Sequence, residues 1–524
     1  MHRYLAKLIL LFFCFSVEAA PLPTPSPRQM QTLYNSLDER SLPQLLAFYQ
    51  LYPDTEEGKK CLESSWKLLL GSETSEAALE PLPEFSHCQI GAITALINKP
   101  SGEEIPELRP EELDLIDRIA ERLPNRRLAG YAVTSEEDVL KLPAESIDIA
   151  KAMLLAQYGS SKEKERLRRS YEASIDLMAL QILTKLDVGA DPEEKITAIN
   201  RFIFDEMLFR FPPHSLYAKD IDEYTFLSSV LDSRRGVCLG VSMLYLCLAQ
   251  RLDLPLEIIT PPGHIYVRYR DDTQTINIET TARGINLPSE VYLGIDTRSL
   301  QKRNATEAIG LSFVNQASVF WQEGHHDKAL ETYLRAQPYL KDDMLLKEFI
   351  AYQELFLGMS EEGKKHLSEV RHHLPEEAVS PNTMADDYLL GHADLEAMQA
   401  VFQHVDETQE SILKKRETLE LAVTRCPKFR AGRFQLAVTY LQIHRTKEAL
   451  QHLEILHEQD PNDATVEYYL SMIYSERHYF PKAWEHYHNT VKLTDARDHH
   501  PKALEYFKRG LSGLFMPQKE SRSR

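Results

Sequence analysis

The chain contains no Cys-x-x-Cys pair and no glycine-rich phosphate loop. Cys238 and Cys247 lack zinc-finger spacing, so a structural zinc site is not expected, and no metal or organic cofactor is implied. Positive charge is also short: 60 lysines and arginines stand against 79 aspartates and glutamates, a formal net charge of -19. Phosphate recognition needs a concentrated basic surface, so no nucleic-acid partner is expected. Past the N-terminus no apolar run approaches the roughly 20 residues that span a bilayer, so the mature chain is expected to have no transmembrane segment.

At 524 residues the chain exceeds one compact core and implies several domains. Met1–Lys7 carries Arg3 and Lys7, Leu8–Val17 is apolar, and Val17-Glu18-Ala19-Ala20 supplies small residues for cleavage. This pattern predicts a signal peptide over 1–20 and an exported protein, periplasmic or secreted. Of six cysteines, removal of Cys14 leaves five, so at least one thiol stays unpaired within a monomer; a Cys61–Cys88 disulfide is conceivable. Residues 21–185 read as a helical region: an amphipathic stretch from Ser26-Pro27 to Tyr49, another opened by Pro110-Glu111-Glu112, a third over Ala144–Tyr158 and a fourth over Lys162–Lys185. Asp191, Pro192 and Glu194 then cap a helix with Ile196, Ile199, Ile203 and Met207 on one stripe.

The chemistry is concentrated between Arg234 and Glu279. Gly236 permits a tight entry to an apolar helix starting near Cys238 and carrying Leu239, Met243, Leu246 and Leu252. A thiol at a helix N-terminus faces unpaired N–H groups and a positive partial charge, which favours the reactive thiolate, and Arg234 and Arg235 are placed to reinforce it. Cys247, two and a half turns on, points to the opposite face and reads as a core residue. His264 follows the stiff turn Thr260-Pro261-Pro262-Gly263 and opens an alternating strand, and Thr275–Thr280 forms the next. A hairpin centred between Asp271 and Asp272 places His264 directly opposite Glu279, so that the acid orients the imidazole and the imidazole serves the thiol.

Gly-Val-Cys at a helix start, Pro-Gly-His before a strand and Asn277-Ile278-Glu279-Thr280-Thr281 after it resemble the transglutaminase-like superfamily, in its bacterial SirB-type branch, over roughly Pro192–Ile295. The resemblance implies a papain-like α+β domain, here 186–300, with Cys238, His264 and Glu279 as a catalytic triad. Many SirB-type members have proline where Cys238 stands, and the superfamily usually has aspartate where Glu279 stands.

Beyond Leu300 the chain repeats. Leu436, Ala437, Tyr440, Ala449 and Leu453 return as Leu470, Ser471, Tyr474, Ala483 and Tyr487, a period of 34 residues. Ala317, Ala329, Tyr333 and Ala336 match Ala351, Gly363, Leu367 and Val370 at the same period, and Asp386–Pro427 between them is helical but degenerate. These resemble tetratricopeptide (TPR) repeats over 301–515, followed by a basic tail, 516–524. The expected fold is therefore mostly α with a small α+β domain: a helical N-terminal region, a transglutaminase-like domain and a C-terminal TPR α-solenoid. The expected function is thiol-dependent acyl transfer, as an amide or peptide hydrolase or a transglutaminase-like enzyme, with the repeats recruiting a protein or peptide. The alternative is a non-catalytic assembly factor with a vestigial central domain.

Overall fold

The computed structural model describes residues 25–71, 87–212, 224–406 and 408–514. The expected signal peptide, the basic tail and the side chain of Cys88 lie outside the described residues, and Cys61 is a buried free thiol. The chain divides into two units, 1–81 and 82–524.

In the first unit the stretch expected to run unbroken to Tyr49 is two helices, Pro27–Asn35 and Leu42–Leu51, followed by Glu56–Leu70. The interruption has local causes. Ser26 and Gln29 form a capping box at the first helix, whereas Pro43 sits in the opening turn of the second, where its missing N–H costs nothing. Leu45, Leu46, Phe48, Cys61, Trp66 and Leu69 are buried.

The second unit is built around the helix Cys238–Arg251, in which every residue from Leu239 to Ala249 is buried. A helix apolar on all sides belongs in a core. It packs against Ile149–Tyr158 and Lys162–Leu183, both from the N-terminal helical region. The contact is polar at one point: the Arg251 Nε donates to Asp176 Oδ1 at 2.5 Å, and Arg126 binds the other oxygen of the same carboxylate. Arg251 and Asp176 are almost wholly enclosed. The Gln250 side chain extends the junction, accepting from the Ile149 N–H at 3.0 Å and donating to the Ile147 carbonyl at 2.8 Å.

The sheet is four-stranded and antiparallel: β1 (Glu257–Thr260), β2 (Tyr266–Arg270), β3 (Thr275–Ile278) and β4 (Gln301–Arg303), in the order β3-β2-β1-β4. Its last strand thus comes from the first residues of the repeat segment. The hairpin register differs from the expected one. Arg270 pairs with Thr275 and Val267 with Ile278, so the turn is centred one residue later. The cause is Asp271, whose Oδ1 accepts from the Thr273 N–H at 2.7 Å and the Gln274 N–H at 2.9 Å. This Asx-type turn makes Asp271 the first residue of the turn rather than a central one.

The helix capped by the Asp191–Glu194 box runs from Pro192 to Asn200, and its next turn, Arg201–Glu206, widens to π geometry. The wider turn brings Phe202, Ile203 and Phe204 inward together. The repeats form helical hairpins: Ala305–Gln322 with His326–Ala336, Met344–Phe356 with Ser360–Val370, Arg430–Gln442 with Thr446–Gln459, and Ala464–Glu476 with Phe480–Asp495. The recurring residues named above are buried in both members of each period. The degenerate segment is three helices, Met384–Leu389, Leu395–Phe402 and Gln409–Arg425.

Asp176→Asn keeps the shape but removes the carboxylate paired with the fully buried Arg251 and one of the two carboxylates paired with Arg126. We expect a loss of about 3–5 kcal/mol in urea unfolding at neutral pH, the usual result of removing one partner of a buried ion pair. A loss below about 1 kcal/mol would mean that the junction does not depend on this carboxylate.

Candidate functional site

Cys238 is the first residue of its helix, behind Val237 as N-cap, and its side chain is half-buried. Gly236 allows this entry by packing: a Cβ there would sit 2.7 Å from Val241 Cγ2. Gly240, one turn into the helix, is tighter still, with the Tyr224 carbonyl 2.4 Å from where its Cβ would be. Arg234 does not serve the thiol in the expected way. Its guanidinium is taken by the carbonyls of Met207 and Lys99.

His264 lies between the turn and β2, and Gly263 before it takes φ +70° in open space, a conformation suited to glycine. The His264 Nε2 donates to Glu279 Oε2 at 2.7 Å. The pair is diagonal across the hairpin rather than directly opposite: continued past Val267–Ile278, the register brings Glu279 opposite Tyr266. The face is unchanged, because moving the turn by one residue displaces each facing partner by two. With Nε2 committed to the carboxylate, Nδ1 is the nitrogen left for Cys238, which lies near enough to the ring to raise its pKa.

Glu279 is buried and densely bonded. Its Oε1 accepts from the Thr281 N–H at 3.1 Å and the Thr281 hydroxyl at 2.6 Å, while Oε2 accepts from His264 and from the Tyr292 hydroxyl. Burial alone would raise its pKa, but these donors outweigh burial and hold it at about 2. For His264, burial opposes the charged ring, but the hydrogen bonds to Cys238 and Glu279 and the charges of both raise the pKa to about 9. The arrangement therefore favours an imidazolium between the Glu279 carboxylate and Cys238.

Three contributors were not read from the sequence. Tyr292 stacks on His264 at 5.6 Å between centroids and on Tyr266 at 5.1 Å. Ser242, one turn after Cys238, shares a 2.9 Å hydrogen bond with Thr280, which ties the helix to the end of the hairpin beside Glu279. The loop bearing Tyr292 is pinned by the repeats: the His499 Nε2 donates to the Gly294 carbonyl at 2.8 Å, and the Val379 and Ser380 N–H groups donate to Asp296. Tyr292 is one of 24 tyrosines, and no local pattern marks it. Cys247 is fully buried, with burial pushing its thiol far up, as a core cysteine should be.

Residues 169–309 match the family model of the transglutaminase-like superfamily. The chain thus carries a transglutaminase-like domain, and the match extends from within the helix Lys162–Leu183 into the first repeat helix. A comparison with curated proteins found no match. Among solved structures, yeast Tom70 is 12% identical, covering 93% of this chain and 85% of its own, with a TM-score of 0.21. A thermophilic TPR protein of Thermus thermophilus is 14% identical, covering 39% of this chain and 98% of its own, with a TM-score of 0.20. Scores this low do not fix a common shape, so the TPR-like architecture rests on the hairpins and their buried period.

The pKa shifts set a pH window. Stability from the raised His264 is fully present below about 6.5, its ordinary value, and is lost as pH rises through about 9; that from Glu279 is present above 4.5 and lost as pH falls through about 2. Imidazole nitrogen NMR should show His264 titrating near pH 9, and in Glu279→Gln the midpoint should fall toward about 6.5. An unchanged midpoint would show that the carboxylate does not hold the proton.

Proposed function

We propose that the protein is an exported thiol-dependent acyl-transfer enzyme of the SirB-type branch, acting on an amide or ester of a protein or peptide held by the TPR-like repeats. The single observation carrying this reading is the imidazole of His264, hydrogen-bonded to Glu279 and set beside Cys238 at a helix N-terminus. The Cys238 thiolate attacks the acyl carbonyl, and the first-turn N–H of Cys238 is available to the oxyanion. His264 gives its proton to the leaving amine or alcohol as a thioester forms. It then takes a proton from water or an acceptor amine, which attacks the thioester and releases Cys238. Glu279 keeps the ring oriented, and Tyr292 keeps Glu279 and the ring in register. The helical repeats support protein interaction, and a non-catalytic binding role is the reading that survives if the thiol proves inert.

Iodoacetamide labelling of the folded chain at pH 7 should modify Cys238 faster than glutathione, and Cys238→Ala should abolish that fast phase. His264→Ala should slow it by about 10²-fold, the lower range for losing a general base. A rate no greater than that of glutathione ends the acyl-transfer reading. With an amine probe and a glutamine-containing acceptor, incorporation indicates transfer to amines; hydrolysis alone excludes cross-linking.

A further inference from the structure

The sequence offers no metal-binding motif, yet the fold assembles one cluster with suitable donors. Among the described residues, His457, Glu467 and His486 each present a ligand atom, all within 4.8 Å of one another. They come from three successive helices of the last repeats, Thr446–Gln459, Ala464–Glu476 and Phe480–Asp495. The spacing in sequence is irregular because each helix contributes one residue, which is why no motif reveals the site.

We propose that His457, Glu467 and His486 form a zinc site that clamps the C-terminal repeats. The two imidazoles approach one carboxylate from both sides: His457 Nδ1 meets Glu467 Oε1, and His486 Nδ1 lies 2.8 Å from Oε2. Asn489 Nδ2 donates to Oε2 at 2.9 Å, and Tyr474 stacks on His486 at 5.4 Å, which fixes that ring. Two imidazoles and a carboxylate are a donor set that zinc accepts, with a fourth position left for water. Ligands of a tetrahedral zinc lie about 3.3 Å apart, given bonds of about 2.0 Å. The imidazole–carboxylate contacts are shorter than this, so the rings turn slightly away from the carboxylate to admit the ion. On binding, each neutral imidazole presents an unprotonated Nδ1 and carries its proton on Nε2; no electron transfer is involved.

The electrostatics favour a cation. The Glu467 side chain is fully enclosed, and its ion-pair partners among the described residues are these two imidazoles. Asp463, the N-cap of the same helix, is pushed up by burial and further by the charges of Asp460 and Glu467. The ion has a way in, since the His457 side chain is a third exposed.

The test uses the full chain with Cys238→Ala, so that the thiol cannot bind metal. After EDTA treatment and dialysis, titration calorimetry with zinc chloride should show one tight site per chain, and zinc should raise the thermal midpoint. His457→Ala, at the exposed member, should weaken zinc binding at least tenfold while circular dichroism shows the helices intact. Glu467→Gln, which preserves size, should do the same. Absence of zinc uptake by the stripped protein, or uptake unaffected by both substitutions, overturns the site. Loss of thermal stability in the variants without zinc uptake by the parent would show hydrogen bonding alone and overturns it equally.

Discussion

The buried carboxylate of Asp176 sets the position of the helix that carries Cys238. Enclosing one acid with Arg251 and Arg126 is costly unless all three charges are held in close register, so the ion network has a narrow range of permitted geometries. Apolar packing around Leu239–Ala249 would tolerate sliding or rotation more readily than this network does. The Ser242–Thr280 hydrogen bond holds the first turn to the hairpin, and the Arg251 network fixes the far end of the same helix. The helices Ile149–Tyr158 and Lys162–Leu183 are therefore part of the machinery that positions the site.

Much of that site was legible because it depends on local rules. A capping box with a first-turn proline, the apolar series after Gly236 and the alternation of Ile265–Tyr269 are short-range signals, and they located the Pro192 helix, the Cys238 helix and β2. The hairpin register was less legible because Asp-Asp has no strong intrinsic turn preference, and Asp271 takes the first turn position by binding the N–H groups beyond it. The face survived the error because partners moved by two residues, the pleat period. Tyr292, Ser242 and β4 were invisible for another reason. Each is defined by a partner distant in the chain, and neither hydropathy nor spacing encodes such pairings.

The repeats add a constraint that the central domain lacks by itself. The loop after β3 has little secondary structure, two short 3-10 turns over Thr280–Ala282 and Ser289–Tyr292, and a loop of this kind would ordinarily be the least ordered part of a site. Here Gly294 and Asp296 are bonded to His499, Val379 and Ser380, and the Arg298 N–H donates to the Glu377 carbonyl at 2.8 Å. Residues from two separate parts of the repeat region thus hold the segment that presents Tyr292 to His264 and Glu279. Order at the imidazole therefore depends on the repeats as well as on the central domain.

That connection also bears on how a glutamate at position 279 reaches His264. Directly facing residues of a hairpin have Cβ atoms about 5 Å apart, whereas diagonal neighbours are about 7–8 Å apart. The observed register makes His264 and Glu279 diagonal, and the extra methylene of glutamate helps close the longer gap to the 2.7 Å hydrogen bond. A longer side chain has more rotamers to lose, which would ordinarily blur the orientation it imposes on the ring. Thr281 and Tyr292 remove that freedom by occupying the remaining acceptor positions of the carboxylate. The substitution for the usual aspartate is matched by the turn that Asp271 shifts and by the loop that the repeats hold, so the three features stand together as one geometric solution.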